Sequence, residues 1–253
     1  MSFLDFIFRL FKSDNNEHDA ATRSNSDATQ TSYRGPEIGS LDFSKCVYCQ
    51  APLIKAPEKR TKCKKCGDYI YVRKRPSDNK RVLLKESELN ILEDQWLSVN
   101  DPEAYAEKQK VIERLSRENG TTPSKAETDW EWYKSLLNLY AQNGHWGLYR
   151  NTRLNMATFL SENKNPGEAA LTYLEVYYLD LNGSNNANGF DKSMAMGLPW
   201  MYEEAVKISE ESGITKENLK ERFLERARLL KDKLSLPVDP NTAWSKMEKG
   251  KDK

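Results

Sequence analysis

The chain's four cysteines fall in two pairs, Cys46-Val-Tyr-Cys49 and Cys63-Lys-Lys-Cys66, with 13 residues between them. A two-residue gap lets both thiolates of a pair converge on one ion, and two such pairs complete a tetrahedron. The donor set points to Zn2+. An iron site with four thiolates has the same geometry, and two disulfides would use the same residues. A redox-active CxxC wants a strand–helix setting, whereas here each pair sits between short β-like runs. Four protein sulfurs leave no position for water, so the ion expected at Cys46, Cys49, Cys63 and Cys66 is structural.

Little else in the chain is suited to covalent or acid–base chemistry. There are two histidines. His18 lies in a polar stretch, and His145 lies between Gly144 and Trp146 at an expected helix junction. No Ser-His-Asp set, phosphate loop or dinucleotide fingerprint is present, so an enzyme is not expected. The stretch from Asp180 to Asp191 has oxygen side chains at the spacing of a calcium loop. However, its sixth position is Asn185 rather than glycine and its last is the short Asp191, so it reads as an interhelical loop.

Composition sets wider bounds. The 253 residues are 38% hydrophobic and 30% charged, with a net charge of +1. That near-neutrality hides a segregation. From Lys55 to Lys85 there are 12 basic and 3 acidic residues, a balance of +9; the rest carries 27 and 35, a balance of −8. Within the basic stretch, Tyr69 and Tyr71 are interleaved with Lys64, Lys65, Arg73 and Arg75. Alternation places both tyrosines on one face of a strand, where they could stack on bases while the cations meet phosphates. The anionic partner could equally be an acidic protein surface.

The elements that must carry these residues follow from patterning. Residues 1–12 form a short amphipathic helix. Phe3, Leu4, Phe6, Ile7, Phe8, Leu10 and Phe11 make its apolar side, fit for a membrane interface or a groove on a partner. Its eleven residues from Ser2 to Lys12 reach only about 16 Å, too short to span a bilayer. Residues 13–40, rich in Ser, Asn, Asp and Thr, read as a flexible tether. Residues 41–85 hold the cysteine pairs and β-like runs, among them Tyr69–Arg73 and Arg81–Leu84. From 86 to 235 the pattern is helical, with seven helices near 86–98, 102–118, 125–142, 146–162, 166–181, 199–212 and 216–233. Caps at Asp101-Pro102, Ser124-Lys-Ala-Glu127 and Asn165-Pro166 set their starts. Residues 236–253 read as a tail. Most of Trp96, Trp130, Trp132, Trp146, Trp200 and Trp244 fall at apolar helical positions. The fold class expected is a small β metal domain followed by an all-α domain of antiparallel helix hairpins.

Two resemblances add to this. The two cysteine knuckles, each leading into a β-like run, resemble the zinc-ribbon family over roughly residues 41–76, which implies Cys46, Cys49, Cys63 and Cys66 as ligands. The segment from Lys62 to Asp78 is similar to one in uncharacterised bacterial and phage zinc-ribbon proteins, which implies a microbial source and no particular activity. Gly167–Tyr177 resembles the second helix of a tetratricopeptide repeat, with Ala170 in the small position and Tyr173 or Leu174 in the bulky one. Leu154, Ala157 and Phe159 would serve the preceding helix, but no 34-residue period is visible. These observations lead to the expectation of a non-enzymatic zinc-binding adaptor that contacts protein, alternatively a nucleic-acid-binding protein acting through the basic ribbon. Cysteines committed to a metal, and no recognisable secretory signal, suggest the cytoplasm, with peripheral membrane contact through residues 1–12.

Overall fold

A computed structural model describes residues 37–187 and 189–250. The expected docking helix at 1–12, the tether up to residue 36, His18 and Asn188 lie outside the described residues. The chain divides into two compact units, Met1–Ala106 and Glu107–Lys253.

The first unit is built on a three-stranded antiparallel sheet, β1 (Thr61–Lys62), β2 (Tyr69–Lys74) and β3 (Arg81–Leu84), in that order. Val72 faces Leu83 and Lys74 faces Arg81 across the β2–β3 hairpin. A turn at Arg75–Asn79 closes it: Asn79 takes a φ of 55° and the Arg75 amide donates to the Lys80 carbonyl at 3.0 Å.

Both faces of this sheet are covered. On one, Ile70, Val72 and Leu83 pack against Cys46, Cys63, Val47 and Leu53 of the cysteine turns. On the other, Tyr71, Val82 and Leu84 pack against Leu89, Leu92 and Trp96. Those last three belong to α1 (Leu89–Asn100), which follows a single 3-10 turn at Glu86–Glu88. The Trp96 indole N–H donates to the Lys74 carbonyl at 2.9 Å, pinning the helix to the end of β2. The last residues of the expected tether are also built in. Ile38 is buried, Ser40 bridges Leu83, and a Cβ on Gly39 would come within 2.7 Å of Val82. Only glycine fits there, at a φ of 77°.

Helix α2 (Pro102–Asn119) starts where its cap lies, with Asp101 accepting from the Ala104 amide at 2.9 Å. The second unit comprises α2 from Glu107 onward, then α3 (Lys125–Gln142), α4 (Trp146–Glu162), α5 (Pro166–Leu181), α6 (Pro199–Glu211), α7 (Lys216–Leu234) and α8 (Pro240–Lys249), with a 3-10 turn at Lys192–Met194. The capping box at Ser124 and Glu127 forms as expected. Among the described residues there are eight α-helices.

Helix α5 is the axis of this unit. Every residue from Ala169 to Leu179 is buried, because α4, α6, α7 and α8 all pack on it. A helix covered all round has no polar stripe, and Ala-Ala-Leu-Thr-Tyr-Leu-Glu-Val-Tyr-Tyr-Leu shows none. The segment read as a tail holds α8 instead. Asp239 caps it through the Asn241 amide, and Trp244, 1% exposed, fills a cluster with Tyr202 and Phe223 at ring separations of 5.6 and 5.7 Å. The chain entering α8 is fixed at Val238, whose N–H donates to Asn182 and whose carbonyl accepts from the Tyr178 hydroxyl.

Truncating so large a buried ring leaves a void that neighbours fill only in part. Trp244→Ala is expected to cost about 3–5 kcal/mol in urea denaturation of the helical unit. A loss below about 1 kcal/mol would mean that α8 is not part of this core.

Candidate metal centre

The two cysteine turns are built alike. In the first, the Cys46 amide donates to the Ala51 carbonyl at 2.9 Å and the Cys46 carbonyl accepts from Gln50 at 2.9 Å. In the second, the Cys63 amide donates to Asp68 at 2.8 Å and its carbonyl accepts from Gly67 at 2.9 Å. The residue after each second cysteine takes the left-handed conformation, Gln50 at φ 58° and Gly67 at φ 82°. That twist tips backbone amides toward the sulfurs, and the Tyr48 amide lies 3.4 Å from the Cys46 Sγ. Glycine takes this conformation without strain; glutamine takes it at a cost.

The turns meet so that the first cysteine of each faces the second of the other. Cys46 Sγ is 3.8 Å from Cys66 Sγ, Cys49 Sγ is 3.9 Å from Cys63 Sγ, and all four sulfurs lie within 4.8 Å of one another. A tetrahedral ion with metal–sulfur bonds of about 2.3 Å requires sulfur–sulfur edges of about 3.8 Å. A disulfide requires about 2.05 Å, and all four are free cysteines. The donor set and the spacing both fit a metal ion.

The electrostatics agree. Amide hydrogen bonds from Cys66 and then Lys65 draw the Cys63 thiol down to about 6, so it is poised to ionise. The Asp68 amide favours the Cys66 thiolate too, but desolvation and hydrogen bonds with the Asp68 side chain, Cys63 and Cys49 outweigh it and push that thiol up. Adjacent thiols cannot all ionise at this separation unless a cation compensates them. Cys46 and Cys63 are buried while Cys66 reaches the surface.

The residues expected to face an anionic partner are placed differently from one another. Lys64 and Lys65, at the tip of the second turn, are exposed. Arg73 is half-buried and donates to the Val72 carbonyl. Tyr69 is 41% exposed, with the Arg60 guanidinium 3.8 Å from its ring centroid. Tyr71 and Arg75 are inside. Tyr71 shares a face with Tyr69, but α1 covers that face at Tyr71, whose hydroxyl donates to Glu86 at 3.0 Å. Arg75 clamps its own turn, donating to both Asp78 oxygens at 2.9 and 2.8 Å and to the Ile38 carbonyl at 3.4 Å. Its guanidinium holds the Asp78 carboxyl well below the usual range. The surface available to a partner is therefore Lys64, Lys65, Tyr69 and part of Arg73, joined by Lys62 and Arg60, whose place beside Tyr69 sequence spacing did not suggest.

The loop tested for calcium spends its oxygens internally. Asp180 is paired with Arg150, Asn186 accepts from the Leu148 amide at 2.9 Å, and Asp191 accepts from Ser193 at 2.8 Å. Its chemistry is that of a brace between α4 and α5. His145 precedes α4 with its ring 6.5 Å from that of Tyr140.

Comparisons with protein-family models, with curated proteins and with solved structures gave no match. The four-cysteine cluster and the surfaces around it therefore carry the functional argument.

The strain at Gln50 gives a measurable asymmetry. Gln50→Gly is expected to strengthen metal retention by about 1 kcal/mol, and Gly67→Ala to weaken it by about 1–2 kcal/mol. Among the described residues, a Cβ at Gly67 would meet only the Lys62 Cε, at 4.0 Å, so the penalty there is backbone strain. Competition with a chelator measures both; equal affinities in all three proteins would contradict the knuckle geometry.

Proposed function

We propose that the protein is a non-enzymatic zinc-binding adaptor. The observation that carries this reading is the closed set of four sulfurs: the protein itself supplies every ligand, so the ion has no position for substrate or water. Zinc is the ion we assign, because a closed tetrahedron of four cysteine sulfurs is the usual donor set of a structural zinc site; iron is the competing ion, and metal analysis of the purified protein separates them. When bound, the ion ties the two turns together beneath the sheet.

In this reading the sheet unit makes one contact through the exposed cations beside the second turn, and the helical unit makes another. Protein is the favoured partner of the basic surface. Base stacking needs a free aromatic face, and Tyr71 is buried while one face of Tyr69 is already covered by Arg60. Nucleic acid is the second reading, favoured by the +9 balance between Lys55 and Lys85. The N-terminal residues 1–12 would supply the docking element to a membrane or partner. No helix among the described residues is long and apolar enough to cross a membrane.

Titration of the zinc-loaded chain against labelled single- and double-stranded DNA and RNA over a range of salt separates the two. The adaptor reading expects no saturable binding at about 150 mM salt. Tight binding that falls steeply with salt, with a slope reduced by about one for each of Lys64→Ala and Lys65→Ala, would replace it with the nucleic-acid reading.

A further inference from the structure

The interior of the helical unit contains a charge cluster unconnected with the metal centre. Glu175, in the middle of α5, is 2% exposed. A carboxylate so placed must be paired, and it is: Arg226 Nε donates to one oxygen at 2.5 Å, and Arg153 reaches the other. Arg226 also donates to Glu168 at 2.7 Å, and Arg222 does so at 3.1 Å. Three guanidiniums therefore share two carboxylates, leaving one positive charge in excess.

Of the three, Arg153 is the most deeply buried. Its Nε is buried and has no hydrogen-bond partner. Burial, with Arg226 beside it, pushes the guanidinium down from its ordinary value, a sign that its charge is poorly solvated. Arg153 lines a cleft of about 320 Å³ between α3, α4 and α7. Lys134 and Lys233 line it from opposite helices, with Tyr149 and Asn138 as polar neighbours and Leu137 and Leu230 as apolar wall. No carboxylate lines it. Lys134 keeps Glu131 as a partner at 2.5 Å. Lys233, exposed at the last turn of α7, has no acidic partner among the described residues.

A small cleft with converging cations, hydrogen-bond donors and an apolar wall suits an anion with an organic body. We propose that this cleft binds a small organic phosphate or carboxylate, its anionic group held between Arg153 and Lys233 and its body against Leu137, Leu230 and the Tyr149 ring. The volume stands at the low end of the roughly 300–1,000 Å³ of ligand pockets, which fits a small molecule and excludes a polymer strand. Because the cleft closes on three helices at once, an occupant would stiffen the unit that the adaptor reading assigns to protein contact.

The test is calorimetric titration of the full metal-loaded chain in a chloride buffer with inorganic phosphate, pyrophosphate and citrate. One saturable site is expected for at least one of them, with the phosphate probes and citrate separating the two anion classes. Lys233→Gln removes an exposed cation without disturbing the core and is expected to weaken binding about tenfold, the size of one charge-assisted hydrogen bond. Arg228→Gln, an exposed position on the same helix outside the cleft, makes the same change in net charge and should leave affinity unchanged. No saturable binding of any probe up to about 10 mM, or equal weakening in both variants, would overturn the proposal.

Discussion

Four sulfurs drawn to within 4.8 Å of one another are the constraint on which the sheet unit depends. Thiolates at that distance repel, and neutral thiols make weak hydrogen bonds, so the arrangement lacks a compensating partner unless a cation supplies it. Cys46 and Cys63 lie in the apolar cluster that also holds Ile70, Val72 and Leu83, which makes the metal site and that half of the core one structure. Three strands of two to six residues cannot bury enough surface to be stable alone. A metal ion at the four cysteines and α1 would make up the deficit from opposite sides.

The helical unit solves the same problem by different means. It has a full core, centred on an α5 that is buried from Ala169 to Leu179, and its polar interior includes the Arg–Glu cluster, the Arg150–Asp180 pair and the Asn182–Val238 strap. A buried carboxylate such as Glu175 contributes little net stability, but once present it dictates where Arg153 and Arg226 must lie. Each unit leaves cations over at its surface: those beside the second cysteine turn in one, and those of the cleft lined by Arg153, Lys134 and Lys233 in the other.

Much of this was legible in the sequence because it is local. Ligand spacing identifies the four cysteines, and local signals such as Asp101-Pro102, the Ser124–Glu127 box and the prolines at 166 and 199 put the starts of α2 through α7 at their observed places. What escaped depends on distant partners. Periodicity gives α1 an apolar stripe but does not say that the stripe covers the sheet, and so it does not tell which of Tyr69 and Tyr71 is buried. Arg75 sits among other cations, yet its partner is three residues on, in a turn that only the β2–β3 hairpin closes. Helix α8 is short, with its apolar residues confined to positions 243, 244 and 247; the Asp239-Pro240 start signal was there, the same as at Asp101-Pro102. The Arg–Glu cluster joins α4, α5 and α7 across more than 50 positions of sequence. A spacing of four between Arg222 and Arg226, and seven between Glu168 and Glu175, hints at matching faces but not at their meeting.

The central claim is that one metal ion holds the sheet unit together and that the helical unit stands without it. Amide hydrogen exchange on the reduced protein, before and after a strong chelator, tests it most directly. The account predicts that protection in β2, β3 and both cysteine turns collapses when metal is removed, while that in α4–α8 persists, because metal binding and folding are one process in so small a domain. Unchanged protection in β2 and β3 after complete removal of the metal would contradict it.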